Sequence, residues 1–357
     1  MTAHGPIRYR KGRGATLSPD GRYDQLCHED IDDGWDNLEE PPGPLRTTLS
    51  KDTSRTVISY NNSPDVGFDR SINPYRGCEH GCVYCFARPT HAWLGLSPGL
   101  DFESRLFHKP DAPGQLRREL ARRDYRCAPI AVGINTDAYQ PVERAQALTR
   151  AILAVLLETG HPFSIVTKSA LVERDIDLIA RAASRQQASV AVSITTLDRA
   201  LARRLEPRAA SPPRRLETIR RLSQAGVPVS VLVAPVIPVL TDSELETILA
   251  QAREAGAQHA AYILLRLPYE LKDMFQHWLE AHEPHKAAHV MQRIRDTRGG
   301  KTYDPRFGAR MRGTGVFAQL IEKRFELARK RLGYRAPPSL DCSRFTPPQV
   351  AGQLSLF

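Results

Sequence analysis

Three of the six cysteines lie within eight residues of one another. Cys78, Cys82 and Cys85 have the spacing C-x3-C-x2-C, with Gly77 and Gly81 beside them to let the backbone turn tightly around a ligand. Three thiolates this close together suit a soft metal centre, and on a four-iron cluster they leave one iron without a protein ligand. Two alternatives are a set of buried structural thiols and a zinc knuckle, for which the neighbouring His80 is the obvious fourth ligand.

Polar side chains also stand at or just after the ends of several apolar runs. Hydroxyl, amide and charged groups in such places can bind the carboxylate, ribose and base of a nucleotide-like cofactor. Two of these residues have simpler explanations. Asp137 can cap the helix that follows, and Lys168 is a lone lysine, which is usually a surface residue. The candidates for cofactor binding are Asn135, Thr136, Asp137, Lys168, Ser193, Thr195 and Ala234.

The elements that must position these residues follow an alternating pattern. Continuous apolar runs separated by helical stretches predict a parallel sheet that helices cover on both faces. Chemistry in such folds lies where the strands end and the loops begin. With first strands near Ile72 and Phe102, the count is about six or seven βα units, which predicts an α/β fold close to a partial (β/α)6 TIM-like barrel. The later predicted strands are 130–134, 163–167, 189–195, 227–236 and 259–265, and the helices between them are 142–158, 175–184, 214–225 and 242–255.

The remaining segments differ in composition from this repeating part. Residues 1–54 mix basic, acidic, Gly and Pro residues without a period and predict a poorly ordered arm. The barrel is expected at 55–267, a basic helical extension at 268–333, and a Pro-rich tail at 334–357. The extension interleaves aromatic residues with arginines, a combination that can hold phosphates and stack bases, or can equally be a solvated helix face.

Composition favours an anionic partner and a reducing compartment. The net charge of +10 and the pI of about 9.5 point first to nucleic acid, although an arginine-rich proteome gives the same balance. Apart from the cluster of three, the cysteines are scattered, and the first residues lack an apolar secretory core. No apolar run reaches 18 residues. We therefore expect a cytoplasmic protein that does not enter a membrane.

Two segments resemble the radical S-adenosylmethionine (SAM) enzymes related to spore photoproduct lyase. These are the cysteine loop, with Tyr84 before its third cysteine, and the segment NTDAYQPVE at 135–143. The resemblance covers roughly residues 54–330 and is strongest to an uncharacterised "DNA repair photolyase-like" subgroup. It implies a [4Fe-4S] cluster on the three cysteines and reductive cleavage of SAM to a 5′-deoxyadenosyl radical that abstracts a substrate hydrogen. On the same basis, the residues beside SAM are Tyr84, Thr136, Lys168, Ser193 and Ala234.

One feature of that family is missing from this sequence. Spore photoproduct lyase uses a cysteine near the end of a barrel strand as a hydrogen donor, and here the equivalent segment reads Ile134, Asn135, Thr136. Cys127 is a weak candidate for the catalytic donor, because it precedes the strand and is expected at the opposite end of the barrel. The spore lesion is therefore not the expected substrate.

The last five residues resemble the pentapeptide by which bacterial repair proteins bind the DNA polymerase III sliding clamp. Leu354, Leu356 and Phe357 would enter an apolar groove, and Gln353 would form a hydrogen bond at its rim. The alternative is that these side chains fold back onto the core. The sequence thus predicts a radical SAM enzyme that acts on DNA at the clamp. The alternatives are a radical SAM enzyme that modifies RNA or protein, and a non-catalytic iron–sulfur DNA-binding module.

Overall fold

A computed structural model describes residues 12–24 and 45–349 of the chain. The clamp-binding-like residues Gln353, Leu354, Leu356 and Phe357 lie outside the described residues, as does most of the predicted arm. The described strands, in chain order, are β1 Thr48–Lys51, β2 Ile58–Tyr60, β3 Arg70–Ile72, β4 Tyr75–Arg76, β5 Arg105–His108, β6 Ile130–Val132, β7 Phe163–Thr167, β8 Ala188–Ser193, β9 Val229–Val236 and β10 His259–Leu264.

Helices connect most of these strands. None of the described helices is both long and apolar enough to cross a membrane. Three short 3₁₀ helices occupy Arg88–Leu94, Ala170–Asp175 and Asp242–Glu244. The α-helices are α1 Leu100–Ser104, α2 Ala112–Leu120, α3 Glu143–Gln146, α4 Leu148–Glu158, α5 Ile176–Ala183, α6 Arg199–Leu205, α7 Pro212–Gln224, α8 Leu245–Glu254, α9 Leu271–His282, α10 Pro284–Asp296, α11 Ala309–Arg312 and α12 Gly315–Arg331.

The main sheet has seven strands in the order β10-β9-β8-β7-β6-β3-β2. All neighbouring strands in it are parallel except β2, which runs antiparallel to β3 at one edge. Six successive parallel strands with an open order confirm the partial (β/α)6 barrel. Because the strands are parallel, their carboxyl ends meet at one rim of the sheet, where the loops carry the polar residues predicted above.

The strands form where apolar side chains are buried on both faces of the sheet. All three residues of β6 are buried, and in β7 and β8 buried positions alternate with partly buried ones. The helices then cover the sheet with their apolar stripes: Ile152 and Leu156 of α4, Ile179 of α5 and Ile248 of α8 all belong to one hydrophobic core with the strands. This core holds the strand ends, and therefore the site, in fixed positions.

The structure differs from the prediction at two places in the first third of the chain. The strand expected near Phe102 begins only at Arg105, as β5, and it belongs to a separate three-stranded sheet of order β1-β5-β4. Phe102 itself lies in helix α1 and packs against Cys78 of the cysteine loop. Part of the supposedly disordered arm is also ordered. Arg13 is buried and donates to the carbonyl of Glu103, whose carboxylate accepts the N–H groups of Gly14 and Ala15.

The segment after the barrel is helical, as expected. Its last helix, α12, packs against α8, and Ile321 and Phe325 enter the barrel core. The basic window of this segment does not form one uniform surface. Arg298 is buried on backbone carbonyls, Arg310 pairs with Asp65, and Arg306 pairs with the neighbouring Asp304.

Candidate functional site

A cavity of about 300 Å³ lies at the carboxyl ends of the barrel strands. Its walls join the cysteine loop to the ends of β6, β7, β8, β9 and β10. Of the predicted site residues, it brings together Cys78, Cys82, Cys85, Tyr84, Asn135, Thr136, Asp137, Lys168, Ser193 and Ala234. Thr195 is not among the lining residues, but its hydroxyl lies 3.0 Å from that of Tyr84, which is.

Backbone and buried side chains hold the cysteine loop in its shape. Gly77 and Gly81 have φ values of 76° and 67°, and a Cβ on Gly81 would lie 2.8 Å from the Glu103 carboxylate. The predicted close turns at these two glycines are therefore present. Arg88 donates to the carbonyls of Cys82 and Gly81 and pairs with Glu103. These contacts satisfy backbone groups that a tight loop leaves without partners.

A second support comes from the segment after β6. The amide of Gln140 accepts the N–H of Glu79 at 2.8 Å and donates to the carbonyl of Gly77 at 3.1 Å. Gln140 is fully buried and links the cysteine loop to the strand-end segment. The two segments that carry the family resemblance are thus in direct contact.

The three cysteines fit a cluster with one open iron. All three thiols line the same cavity, and burial raises the pKa of each. Such thiols stay protonated unless a metal centre stabilises the thiolates. Within residues 12–24 and 45–349, no group of three or more His, Cys, Asp or Glu side chains is arranged around a single ion. A four-iron cluster does not need one, because each thiolate binds a different iron.

His80, the fourth ligand of the zinc alternative, already has a partner. Its Nδ1 lies 3.3 Å from Oδ2 of Asp137, and both side chains are buried. Asp137 also accepts the N–H groups of Tyr139 and Lys168. Burial opposes ionisation of this carboxyl, but the charge and hydrogen bond of His80 lower its pKa. Asp137 therefore anchors the turn after β6, and it holds His80 against the cavity wall.

Lys168 is the centre of a polar wall in the same cavity as the cysteines. Its ammonium donates to Ser193 Oγ at 2.6 Å and to the carbonyl of Ala234 at 3.0 Å. Its side chain retains 16% exposure toward the cavity. A cation, hydroxyls and a carbonyl from three adjacent strands can together bind a molecule that has carboxylate, hydroxyl and amine groups.

Glu206 is the residue that sequence reasoning missed. Its fully buried carboxylate accepts from Tyr84 and Arg215, and it lies 3.4 Å from the Lys168 ammonium. Burial opposes ionisation, yet Arg215 and Lys168 hold the pKa of Glu206 far below its usual range. No motif marks this glutamate, which follows α6. The only signal is the order of a strand, a short helix and a charged residue, and that order is common in barrels.

The other candidates have structural roles or lie elsewhere. Thr136 uses its hydroxyl to donate to the carbonyl of Tyr75, and the N–H of Asn135 donates to Asn73. Cys127 is not among the cavity-lining residues, and its thiol contacts Cys342, which belongs to the segment after α12. Burial raises the pKa of Cys127 to about 12. The structure thus does not bring Cys127 to the site.

Comparison with known proteins agrees with this geometry. Residues 72–252 match the family model of the radical SAM superfamily. An uncharacterised protein of Mycobacterium tuberculosis is 41% identical over 225 residues, which cover 62% of this chain and 66% of that protein. The match thus spans just under two thirds of this relative's length. An uncharacterised protein of Methanocaldococcus jannaschii is 28% identical over 214 residues, which are 60% of this chain and 76% of the relative.

Among solved structures, the fold is similar to that of spore photoproduct lyase. The complex of that enzyme with dinucleoside spore photoproduct superposes with a TM-score of 0.56 at 16% identity, covering 80% of each chain. A mutant of the same enzyme with bound AdoMet and dinucleoside spore photoproduct gives a TM-score of 0.52 at 16% identity, again over 80% of each chain. At this identity the likeness shows a shared fold.

Proposed function

The chain belongs to the radical SAM superfamily, and we propose that it is an enzyme that cleaves SAM reductively and uses the product on DNA. The observation that carries this proposal is the single cavity that joins three thiols to the polar wall around Lys168. Cys78, Cys82 and Cys85 would hold a [4Fe-4S] cluster. Cluster and SAM together would supply a 5′-deoxyadenosyl radical, which abstracts hydrogen from a substrate.

The polar wall is assigned to SAM. Lys168 supplies the cation for the carboxylate, Ser193 supplies a hydroxyl near the ribose, and Ala234 lies against the adenine. Thr195 stands behind the cavity wall and supports Tyr84 and the carbonyl of Ala234. The buried charges of Glu206 and Arg215 keep these groups in place. The similar spore photoproduct lyase structure with bound AdoMet supports SAM as the ligand of this fold.

The proposal of a DNA substrate rests on charge and surface chemistry. The net charge is +10. Several aromatic side chains are exposed: Phe86 lines the cavity with 40% exposure, and Trp93 and Tyr269 elsewhere on the surface are 69% and 63% exposed. Arg22 lies over the rings of both Trp93 and Tyr269. Aromatic rings and arginines arranged this way can stack on bases and hold phosphates.

The reaction differs from that of spore photoproduct lyase at one step. The strand end that faces the cavity carries Ile134, Asn135 and Thr136, so no thiol there can donate hydrogen to a product radical. We therefore assign the chain to repair or modification of another damaged or modified base. The hydrogen donor would be SAM-derived or would come from a group outside this strand end.

Formation of 5′-deoxyadenosine tests the enzymatic part of the proposal. Anaerobically reconstituted protein is incubated with SAM, dithionite and a panel of damaged DNA, RNA and peptide substrates. We expect 5′-deoxyadenosine from the wild type and none from Cys78→Ala. A product only on RNA or peptide would replace DNA as the substrate. If SAM does not bind and Cys78→Ala loses only DNA affinity, the chain is a non-catalytic iron–sulfur module.

The proposed site of action is the sliding clamp, which the last five residues would bind. A pull-down with the bacterial DNA polymerase III clamp compares the intact chain with a chain lacking residues 353–357. We expect the intact chain alone to be retained, because Leu354, Leu356 and Phe357 supply the apolar anchors. Equal retention of both chains, or of neither, would remove the clamp from the proposal without affecting SAM cleavage.

A further inference from the structure

Arg266 is a cationic residue of the cavity that the SAM assignment does not use. It comes two residues after β10, the last strand of the barrel, and it lines the cavity together with Cys85 and Phe86. Its guanidinium carbon lies 4.4 Å from the centre of the Phe86 ring. Arg266 therefore stands at the side of the cavity formed by β10 and the cysteine loop, whereas Lys168 directly follows β7.

No counter-ion for Arg266 is present among the described residues. Its guanidinium forms no ion pair or hydrogen bond there, and its contact with Phe86 is a cation–π contact. The charge of the Asp65 carboxylate acts on Arg266, but Asp65 pairs with Arg310 and accepts the N–H of Gly308. The charge of Arg266 is thus not neutralised by the protein around it.

A second arginine makes the local surplus of positive charge larger. Arg298 is 2% exposed and donates to the carbonyls of Leu265 and Ala309, which do not neutralise it. Its Nε is buried without a partner. Burial and the charge of Arg266 together lower the pKa of Arg298 to about 10. Burial and the charge of Arg310 likewise lower the pKa of Arg266.

Two adjacent cations in a desolvated place are costly unless an anion joins them. A guanidinium binds phosphate through two parallel N–H groups, and its face here is already held by an aromatic ring. SAM has one carboxylate, for which Lys168 is placed. Apart from the thiolates of the cluster, which Cys85 would hold beside Arg266, the anion that reaches this guanidinium has to come from the substrate.

We propose that Arg266 binds a backbone phosphodiester of the nucleic-acid substrate, next to the nucleotide that enters the cavity. This inference rests on the proposed function and adds to it the substrate group that this chain recognises. Phe86, half-exposed beside the guanidinium, fits the sugar or base attached to that phosphate. Arg266 is thus a binding residue that sets the position of the strand relative to the cluster.

The test measures binding of a fluorescein-labelled single-stranded octanucleotide to the reconstituted holoprotein by anisotropy. We expect Arg266→Gln to weaken binding about tenfold, as for one lost charge-assisted hydrogen-bonded contact, and to reduce the salt dependence by about one phosphate contact. Arg266→Lys should recover part of the affinity, since it keeps the charge without the fork. The matched control is Arg306→Gln, which removes an exposed arginine that pairs with Asp304 on the same extension.

Oligonucleotides with a single methylphosphonate, placed at each position in turn, locate the contact. One position should weaken binding to the wild type and leave binding to Arg266→Gln unchanged. SAM affinity, measured by calorimetry, and the visible absorbance of the cluster should be the same in both proteins. These readouts separate a binding role from a purely structural one.

Three outcomes would overturn the inference. If Arg266→Gln binds the octanucleotide as tightly as the wild type, Arg266 does not contact phosphate, and the proposed function is unaffected. If the variant loses SAM affinity instead, Arg266 belongs to the SAM site. If the wild type binds an acidic peptide of the same charge but no octanucleotide, both the inference and the DNA proposal are wrong.

Discussion

At the scale of single residues, Glu206 connects the two halves of the site. It accepts a hydrogen bond from Tyr84 in the cysteine loop, and its charge offsets those of Lys168 and Arg215. Arg215 in turn donates to the carbonyls of Ser193 and Ala210. A single buried carboxylate thus fixes the distance between the cysteines and the polar wall.

We expect Glu206→Gln to unfold more easily by about 3–5 kcal/mol, because it leaves the buried charge of Arg215 without a partner. Chemical denaturation of the apoprotein measures this change. Glu217→Gln is the control, since the ion pairs of Glu217 in the described part of the chain are with the exposed Arg220 and Arg221. The double variant Glu206→Gln/Arg215→Met should regain part of the loss, and a double variant that is less stable than Glu206→Gln would contradict the pairing.

Lys168→Met tests the SAM assignment. We expect SAM affinity to fall about tenfold or more, because a charge-assisted hydrogen bond to the carboxylate is lost. Glu206 keeps Arg215 as its counter-ion, so the chain should still fold and bind iron. Calorimetry with the holoprotein gives the affinity, and Lys323→Met, a change on the distant helix α12, is the control. Unchanged SAM affinity in Lys168→Met would show that the carboxylate binds elsewhere.

At the scale of elements, the cysteine loop depends on backbone conformations that only glycine adopts easily. We expect Gly81→Ala to lower iron and sulfide content markedly and to destabilise the chain. The positive φ alone costs about 1–2 kcal/mol, and the new methyl group would press on Glu103. Gly67→Ala is the matched control, because a Cβ there meets nothing within 4 Å and its φ is not positive. Normal iron content in Gly81→Ala would contradict this account of the loop.

The elements that the sequence predicts well are those with a strong local period. Strand β7 has the predicted bounds, and β8, β9 and β10 differ by one or two residues at their ends, since each is a long apolar run between helices. The segment around Phe102 is different. Phe102 and Leu106 fit the alternation of a strand. Phe102 is nevertheless helical, and it packs against the cysteine loop, which lies about twenty residues earlier in the sequence but close in space.

The same reasoning explains which site residues could be predicted. Lys168, Ser193 and Ala234 follow from their place at strand ends, since the fold itself brings strand ends together. Glu206 and Arg266 could not be predicted in this way. Their roles depend on which charges remain unpaired after the chain has folded, and this depends on long-range packing.

At the scale of the whole molecule, two buried histidines make stability depend on pH. Burial lowers the pKa of His91 and of His161 to about 4, whereas an unfolded histidine titrates near 6.5. Between these values the unfolded chain binds more protons, so the free energy of unfolding falls as the pH drops. Between the two pKa values the free energy of unfolding falls by about 1.4 kcal/mol for every pH unit. Each histidine therefore lowers it by on the order of 3 kcal/mol in total.

His161→Gln tests this prediction away from the cysteine loop. His161 accepts from or donates to Tyr125 at 2.7 Å and contacts the carbonyl of Pro162, at the amino end of the barrel. Denaturant titrations at pH 7 and pH 5 should show a smaller difference in the variant than in the wild type. Equal differences would mean that His161 is protonated in the folded state or that other groups dominate.

The size of the cavity has a consequence for the form of DNA that can react. The cluster and SAM would take up most of the cavity of about 300 Å³, so no more than a single base of the substrate could come close to them. A base that remains stacked and paired in a double helix cannot reach it, so under the proposed function the nucleotide must first be flipped out. Extrusion costs a few kcal/mol for a paired base and less for a mismatched, bulged or unpaired one. The same lesion should therefore turn over faster in a bulge than in a perfect duplex.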